Sequence, residues 1–329
     1  MQKPTAWGDK PYFPVSLFYQ NRFGGKVYKI PVSFADDCPN RRGLRGMTTC
    51  IFCDEWGSAA YKETREHDIL TQIELNKERI RARYRGNKFL IYFQAYTTTF
   101  TQLARLQAAL DLVLGLEGVE GVVIGTRPDC LSKSMLTLWR TIHEQKFVSV
   151  ELGIQSLNDR HLDFMRRGHT AKQSIEAIRR IHEESGVDLG VHLLFGSPGE
   201  TSVEVALTAR TLSALPINNV KLHNLHVLKN TPLEELYRKG AYQPIELADY
   251  AERVGVFLRD LRPDIYLHRL GAYAQNWDEL VAPHWANDKM YIMQYITDYL
   301  LARGIYQGQR WCAGHESRQP LNLGIHRSN

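Results

Sequence analysis

Six short runs of β-branched and aromatic residues recur between residues 26 and 228, and the way they are separated constrains the fold more than any other feature. They are KVYKIPVSF (26–34), FLIYF (89–93), VEGVVIG (119–125), FVSVELGI (147–154), VDLGVHLLF (187–195) and NVKLHNLHVL (219–228). Each reads as a strand. Between them lie helix-periodic segments. TQLARLQAALDLVL sets Leu103, Leu106, Leu110 and Val113 on one face, and AKQSIEAIRRIHEE does the same with Ile175, Ile178 and Ile181. Strands apolar on both faces and separated by helices imply parallel βαβ units with right-handed crossovers. Six units fit between about residues 26 and 240. That is too few for a closed eightfold barrel and leaves an open sheet or a partial barrel. Beyond 240 the pattern turns helical, over 244–261 and 287–304, with the short strand DIYLHRL between. The expected organisation is an N-terminal extension (1–25), an α/β domain (26–240) and a mainly helical region with a loose polar tail (241–329).

Several function classes drop out at this level. No run of about 18 apolar residues exists, so a membrane span is not expected. The opening MQKPTAWGDKPYFPVSL lacks the basic-then-apolar layout of a signal peptide, which makes the cytoplasm the default address. No GxGxxG follows the first strand, GSPGET (196–201) lacks the lysine and spacing of a P-loop, and no GxSxG elbow occurs. The net charge of +5 is mildly basic and uneven. KERIRARYRGNK (77–88) is dense in Lys and Arg and reads as a solvated helix face.

Three of the five cysteines crowd into DDCPNRRGLRGMTTCIFCDEWGS (36–58): Cys38, Cys50 and Cys53, with gaps of eleven and two residues. An odd, clustered set does not suit a disulfide framework and points to metal or redox chemistry. The loop follows the first strand, where α/β folds place active sites. Soft thiolates select zinc, copper(I) or iron–sulfur clusters. A closed zinc site needs a fourth ligand, with His67, Cys130 or Cys312 as candidates. An open [4Fe–4S] cluster needs only three thiolates. A disulfide with a spare thiol is the third option.

At these residues the chain resembles the radical S-adenosylmethionine (SAM) superfamily, and within it the YhcC-like family, related to the radical SAM part of the elongator catalytic subunit. The matching stretches are CPNRRGLRGMTTCIFC, YFQAYTTT, GTRPDC, ELGIQSLNDRHLDFMRRGHT, FGSPGET and NLHVLKNTPL. The usual gaps of the superfamily are three and two residues, and a long first gap marks this branch. The resemblance implies a partial (β/α)6 TIM-type barrel with a C-terminal mainly helical appendage. It implies a [4Fe–4S] cluster on Cys38, Cys50 and Cys53, SAM as second cofactor, and an electron donor such as flavodoxin or ferredoxin. The reaction implied is reductive cleavage of SAM to a 5′-deoxyadenosyl radical.

The same resemblance assigns SAM contacts. Phe52 sits beside the adenine, and Gln94, Ala95 and Tyr96 replace the usual Gly-Gly-Glu-like turn. Glu151 and Gln155 face the ribose, Arg167 the carboxylate, Gly196 and Gly199 bring backbone close, and Val227 covers the adenine. Arg41, Arg42 and Arg45 offset cluster charge. Glu151 as partner of a barrel Lys or Arg is the alternative. For the substrate, polar residues near strand ends are the candidates: Tyr96, Cys130, His192 and His223 in the chemistry, with Asp129, Lys221 and His226 beside them. The substrate class stays open between RNA, which the elongator branch and the basic run 77–88 suggest, and a small molecule or peptide. Two readings of other classes remain: a zinc-stabilised binding protein and a cluster-containing sensor without turnover.

Overall fold

The apolar runs can be buried on both faces only if helices cover one side of a curled sheet and the opposite side turns inward. The computed structural model has this architecture. It describes residues 3–55, 57, 67–274 and 277–312. The expected looseness of the tail falls outside them, beyond residue 312. The strands are β1 (Tyr28–Val32), β2 (Phe89–Phe93), β3 (Val119–Thr126), β4 (Phe147–Gln155), β5 (Asp188–Phe195), β6 (Asn219–Asn224), β7 (Val227–Leu228), β8 (Tyr266–Arg269) and β9 (Leu280–Ala282). The helices are α1 (Val15–Phe23), α2 (Ile69–Tyr84), α3 (Leu103–Leu114), α4 (Lys133–His143), α5 (Asp159–Phe164), α6 (Ala171–Ser185), α7 (Ser202–Ser213), α8 (Pro232–Arg238), α9 (Leu247–Asp260) and α10 (Lys289–Ala302).

One seven-stranded sheet runs β1-β2-β3-β4-β5-β6-β8, with every pairing parallel. It is a partial barrel. β8, from the helical C-terminal region, supplies a seventh strand beside the six expected. The run 219–228 is not one strand: β6 ends at Asn224, and β7 pairs antiparallel with β9.

Strand alternation sorts the side chains. Phe89, Ile91 and Phe93 of β2 join the core under the helices with Leu106, Leu110 and Trp139. Leu90 and Tyr92 point inward and pack with Val123, Phe147 and Tyr19 of α1. Those partners lie near the amino ends of the strands, so α1 plugs the bottom of the barrel. Phe18 stacks on Tyr266 there, with ring centroids 4.0 Å apart. Sequence-local signals fix the helix starts: Thr170 and Thr201 each form a capping box, with Gln173 and Glu204 respectively. The main core continues from Ile30 to Ile305.

The basic run 77–88 departs from a solvated face at its start. Lys77 is buried and its ammonium reaches Glu74 and the Glu117 carbonyl. Arg79, Arg81, Arg83 and Arg85 are exposed. They sit where α2 leads into the amino end of β2, at the opposite end of the barrel from the carboxyl-terminal mouth.

Candidate active site

A cavity of about 360 Å³ opens at the carboxyl ends of the strands. Its walls hold Cys38, Cys50 and Cys53 on one side and residues of β5, β6 and β8 on the other. The eleven-residue gap is spent on turns that bring Cys38 back to Cys50. Arg42 N–H donates to the Cys38 carbonyl and Leu44 N–H to that of Pro39, both at 3.1 Å. Buried Asn40 ties the loop to the barrel by donating from Nδ2 to the carbonyls of Thr48 (2.8 Å) and Arg166 (2.6 Å). Ile51, between the last two cysteines, donates its N–H to the Met165 carbonyl and accepts at its own carbonyl from Leu233.

Of the three loop arginines only Arg41 turns inward. It donates to the Asp54 carbonyl and lies 5.2 Å from the Tyr96 ring centroid. Arg42 pairs with Asp37 at the surface and Arg45 is exposed. The cation that reaches the thiols comes from elsewhere. Arg167 donates from Nη1 to Cys50 Sγ at 3.1 Å and from Nη2 to the Gly153 carbonyl at 2.9 Å. Its buried Nε has no partner. Burial pushes the Cys53 thiol up to about 12, with Cys50 and Asp54 adding to the rise and Arg41 opposing it. A thiolate at that position therefore needs a positive centre beside it.

The residues after β2 and at the end of β4 form the adjoining wall. Gln94 and Tyr96 line it, while Ala95 is fully buried and does not. Tyr96 adopts a left-handed conformation (φ 54°), and its hydroxyl donates to the Glu55 carbonyl at 2.6 Å. Gly57 is required opposite, because a Cβ there would lie 2.4 Å from the Tyr96 ring. Phe52 lines the cavity with the Arg167 guanidinium 6.0 Å from its ring centroid. Gln155 closes β4 at φ 65° after a register shift against β5. A Cβ on Gly153 would come within 2.7 Å of Gln155 Nε2, so glycine there leaves room for that side chain.

Deeper, the inward faces of β1, β4, β5, β6 and β8 meet at Glu151. Its carboxylate is fully buried and holds Lys29 Nζ (2.5 Å), His192 Nε2 (2.6 Å) and Lys221 Nζ (3.2 Å). Both oxygens are thus occupied by protein, the alternative the sequence left open beside ribose contact. Although burial pushes it up, Lys221, Lys29 and His192 hold the Glu151 carboxyl well below the usual carboxylate range. Burial, with Arg269 and Lys29 nearby, draws Lys221 down to about 7. Burial and Lys221 take His192 down to about 4, so its ring is neutral near neutral pH. His223 stands 5.4 Å from His192 between ring centroids and falls well below its ordinary value through burial and the Arg269 charge.

Several expected site residues fall elsewhere. Cys130 does not line the cavity; its thiol makes a weak contact with Asp129 (3.9 Å) and burial pushes it up to about 12. Asp129 is committed to a bidentate pair with Arg127, both contacts at 2.9 Å. Gly196 turns away, donating its N–H to Glu200 and accepting from the Tyr242 hydroxyl. Gly199 faces Arg160. Val227 is buried in a satellite core with Ile51 and Leu233, because β7 leaves the main sheet. His67 and Cys312 do not line the cavity either. Lys29, Tyr92, Arg127, Asn224 and Arg269 are site residues that sequence reasoning missed. Arg269 lay in plain view in DIYLHRL, and its inward alternation became meaningful only once that run joined the sheet.

Comparison with known proteins agrees with this geometry. A family model described as the radical SAM superfamily matches residues 32–212, and the Radical_SAM C-terminal domain matches 217–302. Uncharacterized protein YtqA of Bacillus subtilis is 30% identical over 306 residues, covering 93% of this chain and 94% of its own length. Protein YhcC of Escherichia coli is 30% identical, covering 86% and 90%. A shorter match, 31% identical over 40% of this chain and 25% of the other, is to a tRNA uridine(34) acetyltransferase of Methanocaldococcus jannaschii. Among solved structures, archaeal Elp3 of Methanocaldococcus infernus superposes with a TM-score of 0.63 at 16% identity, over 85% of this chain and 64% of that one. Among the described residues no helix is long and apolar enough to cross a membrane.

Proposed function

Because the chain belongs to the radical SAM superfamily and is a radical SAM enzyme, we propose that Cys38, Cys50 and Cys53 hold a [4Fe–4S] cluster and that SAM binds against them. The observation that carries this is the convergence of three thiols, separated by an eleven-residue gap, on one wall of a cavity that also presents Arg167. The donor set fits the group. It consists of soft thiols with guanidinium donors beside them, and an anionic cluster is stabilised by such neighbours.

The chemistry such a cluster supplies when bound is one-electron cleavage of SAM to methionine and a 5′-deoxyadenosyl radical, with flavodoxin or ferredoxin as the type of electron donor. The chain's own residues do the rest. Arg167 holds Cys50 and offsets thiolate charge. Gln94 and the backbone at 94–96 would offer acceptors to the SAM amino group, Gln155 would serve the ribose in place of the fully engaged Glu151, and Phe52 would pack beside the adenine. His192 and His223, neutral and deep in the cavity, border the space left for a substrate, which the walls shield from water.

The test is anaerobic reconstitution followed by SAM and dithionite, with an iron count and chromatography for 5′-deoxyadenosine. We expect cluster-dependent release that is lost in Cys50→Ala. Colourless protein with stoichiometric zinc would sink the reading. RNA as the substrate class is supported by the match to a tRNA uridine(34) acetyltransferase. The exposed arginines of α2 do not add to it, since they lie at the far end of the barrel from the mouth. Mass spectrometry of nucleosides from tRNA incubated with the active enzyme decides it.

A further inference from the structure

The deep wall of the cavity carries hydrogen-bond donors that no protein group satisfies. Lys29 and Lys221 converge there on Glu151, whose two oxygens are already occupied, and the Arg269 charge lies close to Lys221. Asp188 is engaged by Ser149, Asn219 and Tyr266, and Asp54 and Glu279 line the same cavity. Among the described residues no carboxylate pairs with Arg269. Its Nη2 lies 2.6 Å from both ring nitrogens of His223, a contact with a neutral ring, and its buried Nε has no partner. A second donor stands next to it. Asn224 is 2% exposed; its Oδ1 accepts from Ala272 N–H at 2.9 Å, which fixes the amide, and its Nδ2 is buried without a partner. Both residues line the cavity.

An orphaned guanidinium N–H and amide N–H can only donate, and uncompensated buried cations are costly unless an anion meets them. We propose that Arg269, Lys221 and Asn224 form the recognition site for an oxyanion of the substrate, a carboxylate or a phosphate. This rests on reading the cavity as the substrate chamber. The site is separate from the amino-acid end of SAM, which the family resemblance places against Arg167 and the carboxyl end of β2. β6 and β8 carry the substrate oxyanion instead, and guanidinium geometry suits its two-oxygen face. The substrate is thereby oriented with its charged group inward and its reacting carbon toward the cysteine wall.

The experiment uses cluster-reconstituted protein, with sodium acetate and inorganic phosphate as probes against sodium chloride at matched ionic strength, read by thermal melting. The wild type is expected to show a saturable rise in melting temperature with one or both probes. An acetate response marks a carboxylate substrate and a phosphate response a phosphoryl one. In Arg269→Met and Lys221→Met the apparent affinity should weaken by roughly tenfold or more, without a lower melting temperature in chloride for Arg269→Met, whose guanidinium has no carboxylate partner to orphan. No saturable rise over chloride overturns the proposal. So does a rise unchanged in both variants, or one abolished by saturating SAM, which would assign the site to SAM itself. Cys50→Ala separates the two readings. It should keep the oxyanion response while losing 5′-deoxyadenosine, so failure of radical chemistry and failure of the oxyanion site give different results.

Discussion

Replacing Glu151 by Gln keeps the side chain's volume and removes the charge that Lys29, Lys221 and His192 share. Removing one partner of a buried ion pair costs about 3–5 kcal/mol, because the remaining charge stays desolvated. The ammonium side chains of Lys29 and Lys221 are 20% and 14% exposed, so water relieves part of this and the lower half of the range is expected. An unfolding entropy of roughly 2.1 cal/mol/K per residue makes each kcal/mol worth about 1.4 °C for a chain of this size. The expected fall in melting temperature is therefore about 4–6 °C. Its pH dependence identifies the cause. Lys221 is drawn down to about 7 from its ordinary 10.5, so between those values the unfolded chain binds more protons and stability rises with pH. Below 7 the full penalty of the buried ammonium is present. Without Glu151 the ammonium loses its main support, and the rise starts at lower pH in the variant. The deficit relative to wild type should shrink as pH climbs toward 7 and stay constant above it. Circular-dichroism melts at about pH 5.5 and about pH 8 measure this. An unchanged melting temperature, or a deficit that does not shrink between the two, would refute the reasoning.

Arg167→Met removes the donor to Cys50 Sγ and should make the reconstituted cluster harder to reduce, since a neighbouring cation favours the added electron; potentiometric titration followed by electron paramagnetic resonance reads the shift, and an unmoved potential contradicts it. Asn40→Ala breaks the two bonds that tie the cysteine loop to Thr48 and Arg166. It should cost about 1–3 kcal/mol and lower iron retention after reconstitution, measured by iron content per chain against wild type. Gly121→Ala places a Cβ 2.0 Å from the Phe147 carbonyl oxygen, between two central strands. A destabilisation of about 1–3 kcal/mol or more is expected, and a urea midpoint equal to wild type would show that the strands part more easily than their register implies.

Six strands and the helices α3, α6, α9 and α10 were legible because their signals are local. FLIYF is β2 to the residue, and the apolar faces of 103–114 and 171–185 are the faces that α3 and α6 bury. The cysteine trio was legible for the same reason: three thiols in one loop after one strand need no long-range knowledge to be noticed. The family followed from ordered motifs and was shown by the matches over most of the chain. The loop arginines could not be sorted from their spacing. Arg41, Arg42 and Arg45 look alike in sequence, yet the turns that close the eleven-residue gap send one inward and two to solvent. Gly196 and Val227 came from the family resemblance, and their packing, against Glu200 and Tyr242 for one and Ile51 and Leu233 for the other, is set by contacts distant in the chain.

The chain's sequence alone determined six of the seven parallel strands, that three thiols gather at the mouth, and which superfamily the pattern belongs to. Each of these is written within a few residues or in a fixed order of motifs. The tertiary structure decided the rest. It made DIYLHRL the seventh strand, turned Arg167 onto Cys50, and set Lys29 and Lys221 on a carboxylate 122 and 70 residues away from them. Such contacts depend on the curl of the whole sheet, which brings its two edges over one cavity. No periodicity along the chain encodes which charges will face each other across it.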